Sequence, residues 1–233
     1  DWIDPVKNEK ATGFREAGYL PEALVNFLAF LGWNPGTTQE IFSMEELINT
    51  FSVERIGKAG TKFDIHKAQW FNQQYLRAKS NEELAGYLLD SLKVEDIDCS
   101  QDKALKVVAI MKERATFPKD FWEQGKFLFV APTTFDESIA SKKWNDESAR
   151  VIASYQEAVA ALPSFDANIA KYTLEEVTKS LGISIGKILQ ALRLSITGAG
   201  IGPDLMMIME IIGKDEVVRR LAYALQTLKV KVG

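Results

Sequence analysis

One cysteine, Cys99, and one histidine, His66, stand in a chain of 233 residues. No internal disulfide can form, which fits a reducing compartment. Zinc sites of four cysteines, of paired cysteines and histidines, or of three histidines all need more such residues than the chain has. A Ser-His-Asp triad would have to run through His66, whereas counting does not exclude an all-carboxylate metal or glycosidase site. No apolar run reaches the ~18–20 residues of a membrane span, so no membrane partner is expected. Asp1-Trp2-Ile3-Asp4-Pro5 has neither an initiator methionine nor the basic and apolar regions of a signal peptide, so the chain reads as a fragment or a processed product. Lys plus Arg is 28 against 32 for Asp plus Glu, a net charge of −4. That excludes a uniformly basic nucleic-acid coat and leaves room for a local basic patch.

What is present is ordinary globular composition, 46% apolar and 26% charged, enough for at least one core in one large or two small domains. Helical signals dominate. Pro21 opens a helix with Leu24, Phe27, Leu28 and Leu31 on one face and Gly32 as its stop. Ser43-Met44-Glu45-Glu46, Ser80-Asn81-Glu82-Glu83 and Thr173-Leu174-Glu175-Glu176 read as capping boxes, each cap worth ~1 kcal/mol. Asp64 caps a helix carrying Ile65, Ala68, Phe71 and Tyr75. Leu84, Leu88 and Leu92 mark the next, after which 95–102 is polar. Leu105, Val108, Ala109 and Met111 mark another, stopped at Phe117-Pro118. Residues 53–63 read as a loop or short hairpin. Residues 127–135 could pass for a strand, but Pro132 and the lack of a partner favour an irregular connector. Helices follow from Asp146 to Leu162, to Gly182, over 186–196, from Leu205 to Ile212, and along Val217, Leu221, Leu225 and Leu228. With few strand signals, the chain reads as mainly α.

Three features could carry chemistry. From Glu54 to Lys79, six basic residues (Arg55, Lys58, Lys62, Lys67, Arg77, Lys79) face two acidic ones, with Trp70, Phe71 and Tyr75 interleaved. Such an island suits phosphate contact and base stacking, or is a solvated face over an aromatic core. The loop Thr197-Gly198-Ala199-Gly200-Ile201-Gly202-Pro203 either exposes backbone N–H groups to an anion or is a tight connector. It is neither a Walker A loop nor a dinucleotide fingerprint. Arg114 and Arg193 could read base edges or be ordinary ion-pair partners. His66 reads as a helix-start residue, and Cys99 as unreactive. The pairs Glu45-Glu46, Glu82-Glu83 and Glu175-Glu176 lie in first helical turns, where the helix dipole accounts for them. No catalytic residue and no metal ligand emerges.

Three stretches, in order, resemble the C-terminal half of bacterial-type glutamyl-tRNA synthetases. The first is Gly18-Tyr19-Leu20-Pro21-Glu22-Ala23-Leu24-Val25-Asn26-Phe27-Leu28-Ala29-Phe30-Leu31-Gly32-Trp33. The second is Ile56-Gly57-Lys58-Ala59-Gly60-Thr61-Lys62-Phe63-Asp64 with Lys67, Trp70-Phe71-Asn72 and Tyr75, where the family more often has serine in place of Gly57. The third is Leu192-Arg193-Leu194-Ser195-Ile196-Thr197-Gly198, then Gly202-Pro203-Asp204-Leu205, Gly213-Lys214-Asp215-Glu216 and Arg219-Arg220-Leu221. The middle, 95–170, aligns mainly through Lys112-Glu113-Arg114-Ala115. The family's H-I-G-H- and K-M-S-K-S-type motifs are absent, and Lys7-Asn8-Glu9-Lys10 does not fit the latter. The resemblance thus implies that the ATP- and glutamate-binding half is missing, with Asp1 just beyond the cut. The β-barrel anticodon domains usual in related glutaminyl enzymes do not suit a mainly α chain.

The resemblance implies a small, mostly helical stem-contact module over 1–78 and helical anticodon-binding subdomains, a bundle or cage, over 79–163 and 164–233. It implies anticodon-base recognition by Arg193, with Gly202, Pro203 and Leu205 lining that pocket and Gly202 acting through its backbone. It further implies third-base discrimination by Arg114 and tRNA-backbone contact by Lys58, Lys62 and Lys67. The implied partner is glutamate tRNA, with no DNA and no membrane, for a monomeric cytoplasmic protein. The fragment would need no cofactor and be inactive alone, while the parent ligase would use ATP and Mg²⁺. The residues themselves leave open a free-standing RNA-binding module or a helical protein-interaction scaffold.

Overall fold

The computed structural model describes residues 2–3, 5, 10–58 and 60–229. Asp1, Asp4 and residues 6–9 of the N-terminus, and Ala59 of the second resembling stretch, lie outside the described residues. The described chain is mainly helices and their connections, with one two-stranded antiparallel pair, β1 (Trp2–Ile3) and β2 (Lys10–Ala11). It divides into two compact units, Asp1–Gln124 and Gly125–Gly233. That division falls within the 79–163 segment of the sequence reading.

The first unit contains α1 (Phe14–Ala17), α2 (Pro21–Ala29), α3 (Met44–Thr50), α4 (Ile65–Ala78), α5 (Asn81–Val94), α6 (Gln101–Met111) and α7 (Asp120–Glu123). Helix α2 packs on α4, and α5 on α6. Tyr19, Phe27, Ala68 and Phe71 form one core cluster, with Trp33, Phe42 and Leu47 in a second. Ser43 and Ser80 each accept from the N3 backbone while Glu46 and Glu83 reach back, so both expected capping boxes form. Leu84, Leu88 and Leu92 are fully buried, as their spacing predicts, each contributing about 1.5–3 kcal/mol. Residues 53–63 hold a 3₁₀ turn at Val53–Arg55 and a lone bridge from Ile56 to Trp33.

Two registers differ from the periodic reading. The buried face of α2 is Ala23, Asn26 and Phe27, whereas Leu28 is 47% exposed. The rotation follows from Asn26, whose Oδ1 accepts from Phe42 N at 2.9 Å and from the Tyr75 hydroxyl at 2.7 Å. The amide oxygen is thus tolerated in the interior by its two donors, while the buried Nδ2 beside it has no hydrogen-bond partner among the described residues. Asn72 plays a similar part on α4: its Oδ1 accepts from Leu20 N at 2.7 Å and its Nδ2 donates to Thr116 O at 2.6 Å. Helix α6 buries Ala104, Val107, Val108 and Met111 and ends at Met111 rather than Phe117. Arg114 N and Ala115 N close the turn onto Met111 O, and farther on the Asp120 carboxylate accepts from Thr116 N and Phe117 N.

The second unit contains α8 (Glu137–Lys143), α9 (Asp146–Ala160), α10 (Ala167–Ser180), α11 (Ile185–Thr197), α12 (Leu205–Ile212) and α13 (Lys214–Thr227). Helix α9 packs on α13 and α10, and α11 packs on α13 and α8. After a 3₁₀ turn at Lys126–Leu128, the stretch to Phe135 is irregular, as Pro132 suggested. The box expected at Thr173 does not form, because Thr173 lies inside α10, which Asp166 caps through Ile169 N at 2.8 Å. With an earlier carboxylate able to start the helix, the Thr-x-x-Glu pattern simply continues it. A box the sequence did not reveal forms at Asn145 and Ser148.

Candidate nucleic-acid interface

Helix α11 is apolar along Ile188, Ala191, Leu192, Leu194, Ser195 and Ile196, all buried. Arg193 is half-buried beside them, with its Nη1 shielded from solvent. The helix ends in Thr197, whose hydroxyl donates to Arg193 O at 2.9 Å, and in Gly198, left-handed at φ 77°. The next residues need glycine for reasons of space. A Cβ on Gly198 would lie 2.7 Å from Thr134 O and 2.8 Å from Pro132 Cβ, and one on Gly200 would lie 2.6 Å from Ile139 Cγ1. On Gly202 it would lie 2.8 Å from Arg193 Nη1. The backbone at 202 therefore rests directly on the guanidinium, and a side chain there would displace it. Pro203 and Leu205 follow, both buried.

The structure thus sets Gly202 against Arg193, with Pro203 and Leu205 next along the chain. The anion reading of this loop does not hold at the helix start. Asp204 accepts from Met206 N and Met207 N at 2.9 and 3.0 Å, so its own carboxylate fills the N-terminus of α12. The connector reading accounts for Gly198 and Gly200. Beside them a cavity of about 410 Å³ is lined by residues that include Lys126, Phe127, Val130, Pro132 and Thr197.

The remaining candidates lie in the first unit. Arg114 is exposed just after α6, its N–H bonded to Met111 O at 2.8 Å. Lys58 and Lys62 are exposed. Lys67 pairs with Glu40 and sits 4.3 Å from the centre of the Trp70 ring. Arg77 pairs with Glu113, and Lys79 with Glu22, both at 3.2 Å. Phe71 is fully buried and Tyr75 is bonded to Asn26, so these rings are core rather than stacking platforms. Burial also raises the Tyr75 pKa. His66 lies at the start of α4, its N–H bonded to Asp64, and burial pushes the Cys99 thiol up, away from reactivity.

Arg220, in the last of the three resembling stretches, is only 2% exposed on α13. Its Nε donates to Glu216 at 2.6 Å, and its Nη1 to Phe127 O at 2.7 Å and Ile196 O at 2.8 Å. Burial works against the Glu216 charge, but hydrogen bonds from Arg219 and Arg220 outweigh it and hold the carboxyl below its usual range. The signal was available: position 220 lies three residues after Val217, on the apolar stripe of the last helix. Among the described residues no group of three or more His, Cys, Asp or Glu could hold a metal, and no helix is long and apolar enough to cross a membrane.

A model of the anticodon binding domain family matches residues 74–225, and one of the catalytic domain of class I tRNA synthetases (E and Q) matches residues 7–70. The chain is 52% identical over its full length to a glutamate–tRNA ligase of Cytophaga hutchinsonii and 46% identical to one of Amoebophilus asiaticus, spanning 45% of each. It superposes on a glutamate tRNA ligase of Elizabethkingia meningosepticum, solved with its amino acid, with a TM-score of 0.91. That match is 42% identical and covers 98% of this chain and 45% of the other. The chain spans about half the length of the relatives it matches. Through residues 74–225 the chain belongs to the anticodon binding domain family.

Proposed function

We propose that this chain is the tRNA-binding, anticodon-reading part of a glutamate–tRNA ligase. The observation that carries the reading is the Arg193 guanidinium, half-buried against the Gly202 backbone beside Pro203 and Leu205. An arginine fork presented from an apolar floor is suited to a splayed base, since loop bases are bound by stacking and edge hydrogen bonds. Arg193 reads an anticodon base, Gly202 offers backbone only, and Pro203 and Leu205 shape the pocket. Arg114 discriminates the third base. Lys58 and Lys62 stand free in solvent for phosphate contact, and Lys67 would join them by exchanging Glu40 for phosphate. A net charge of −4 is compatible, because base contacts specify and a few phosphate contacts position. By function, the segments are stem contact over 1–78 and anticodon binding over 79–163 and 164–233.

The whole enzyme would join glutamate to its tRNA with ATP and Mg²⁺, as a cytoplasmic monomer, and this chain alone would charge nothing. No described carboxylate cluster suits Mg²⁺, so no step through ATP or the metal is assigned to these residues. Exposed Ile48 (72%) and Val53 (70%) in the segment that matches a catalytic domain support a larger enzyme that covers them.

A salt-titrated binding assay tests the reading. It compares a glutamate-tRNA anticodon stem-loop with the same stem carrying a changed loop. Preference for the glutamate loop, weakening with salt, is expected. Arg193→Ala should cost about 1–3 kcal/mol of that preference. Salt-sensitive binding with no loop preference would remove the base-reading roles, and no RNA binding under any salt would leave a protein-interaction scaffold.

A further inference from the structure

We propose that Arg220 is a positioning residue for anticodon reading, clamping the end of α11 to the 126–128 turn and so setting where Arg193 and the glycine loop sit. The inference rests on the assignment of Arg193 as the base reader. Being 2% exposed, Arg220 cannot touch RNA, so any effect passes through other groups. Glu216, one turn earlier on α13, balances its charge, and the other two acceptors are backbone carbonyls. Ile196 O belongs to the last turn of α11, where carbonyls lack partners within the helix and a cation is favoured. Arg193 is in the same turn. Phe127 O belongs to the 3₁₀ turn that leads into the connector whose Pro132 and Thr134 lie against Gly198. One guanidinium therefore holds both the helix that carries Arg193 and the segment on which the loop rests.

An apolar side chain of similar volume would fill the same space without the cost of burying a charge. What arginine adds is a rigid guanidinium whose Nη1 donates to both carbonyls while its Nε is held by Glu216.

The test measures loop preference in the binding assay above for wild type, Arg220→Met, Arg220→Lys, Arg193→Ala and the Arg193→Ala/Arg220→Met double variant. Hydrogen exchange is followed at the amides of residues 198–202. Arg220→Met should keep its helical circular dichroism, lose preference by roughly tenfold and speed exchange at those amides. Arg220→Lys should fall between it and wild type. The double variant should lose no more than Arg193→Ala does. Full preference in Arg220→Met, or losses that add to those of Arg193→Ala, would overturn the proposal. If Arg220→Met does not fold, Arg220→Lys carries the same comparison. A wild type without loop preference whose 198–202 amides still loosen in Arg220→Met would refute the anticodon reading, and with it any role in recognition, while leaving the clamp as packing.

Discussion

Gly198→Ala should destabilise the second unit far more than Gly182→Ala, and the difference measures a contact rather than a backbone preference. Both glycines end helices with positive φ, 77° and 69°. A non-glycine residue there costs roughly 1–2 kcal/mol. Alanine also restricts the unfolded chain, which returns roughly 0.4–1 kcal/mol at either site. A Cβ at 182 meets nothing within 4 Å, so Gly182→Ala should cost about 1 kcal/mol. At 198 the Cβ would press on Thr134 O at 2.7 Å and Pro132 Cβ at 2.8 Å, a carbonyl and a ring that cannot swing aside. Overpacking adds roughly 1–3 kcal/mol, bringing the total to about 2–4 kcal/mol. Gly200→Ala, whose backbone is unstrained and whose Cβ would meet the Ile139 side chain, should fall between the two. Native-state hydrogen exchange at Leu192 and Leu221, both fully buried, reads the stability of the core of this unit. Equal losses for Gly182→Ala and Gly198→Ala would refute the claim that Gly198 packs against Pro132 and the Thr134 carbonyl.

Other outcomes follow from the same geometry. Asn26→Ala strands the buried Phe42 N–H and should cost about 1–3 kcal/mol in urea unfolding, and an unchanged midpoint would mean that Asn26 does not set the face of α2. Glu216 has a folded pKa below its unfolded value near ~4.3, so its contribution is present above that pH and lost as pH falls through the folded value. Glu216→Gln should therefore weaken stability at pH 7 and flatten its decline at acid pH, as a urea series from neutral to acid pH would show. Lys58→Ala and Lys62→Ala should each weaken binding equally for matched and changed loops and lower the salt slope by about 1. A loss confined to the glutamate loop would instead place that lysine at a base.

Much of this molecule was legible in short stretches of sequence. The Ser43 and Ser80 boxes, the Leu84-Leu88-Leu92 stripe and the limits of α12 depend on residues within a turn or two of one another, so local chemistry was enough. The resemblance that grouped Arg193, Gly202, Pro203 and Leu205 was likewise carried by motifs. Local signals misled where a distant partner decided. Asn26 turned α2 because Phe42 N–H and the Tyr75 hydroxyl donate to its Oδ1, Asp120 shaped the turn at Thr116 and Phe117 after α6 had ended, and Thr173 continued a helix that Asp166 had already started. Phe71 of the island went to the core, where α2 packs against it, while Trp70 and Tyr75 stay partly exposed. Composition located the glycine loop, but only packing showed why it must be glycine: two of its Cα hydrogens face Pro132, Thr134 and Ile139, and a third faces the arginine. Arg220 was written in the sequence as an ordinary cation. Its meaning depends on two carbonyls far away along the chain, and a sequence pattern holds no record of where such groups will meet.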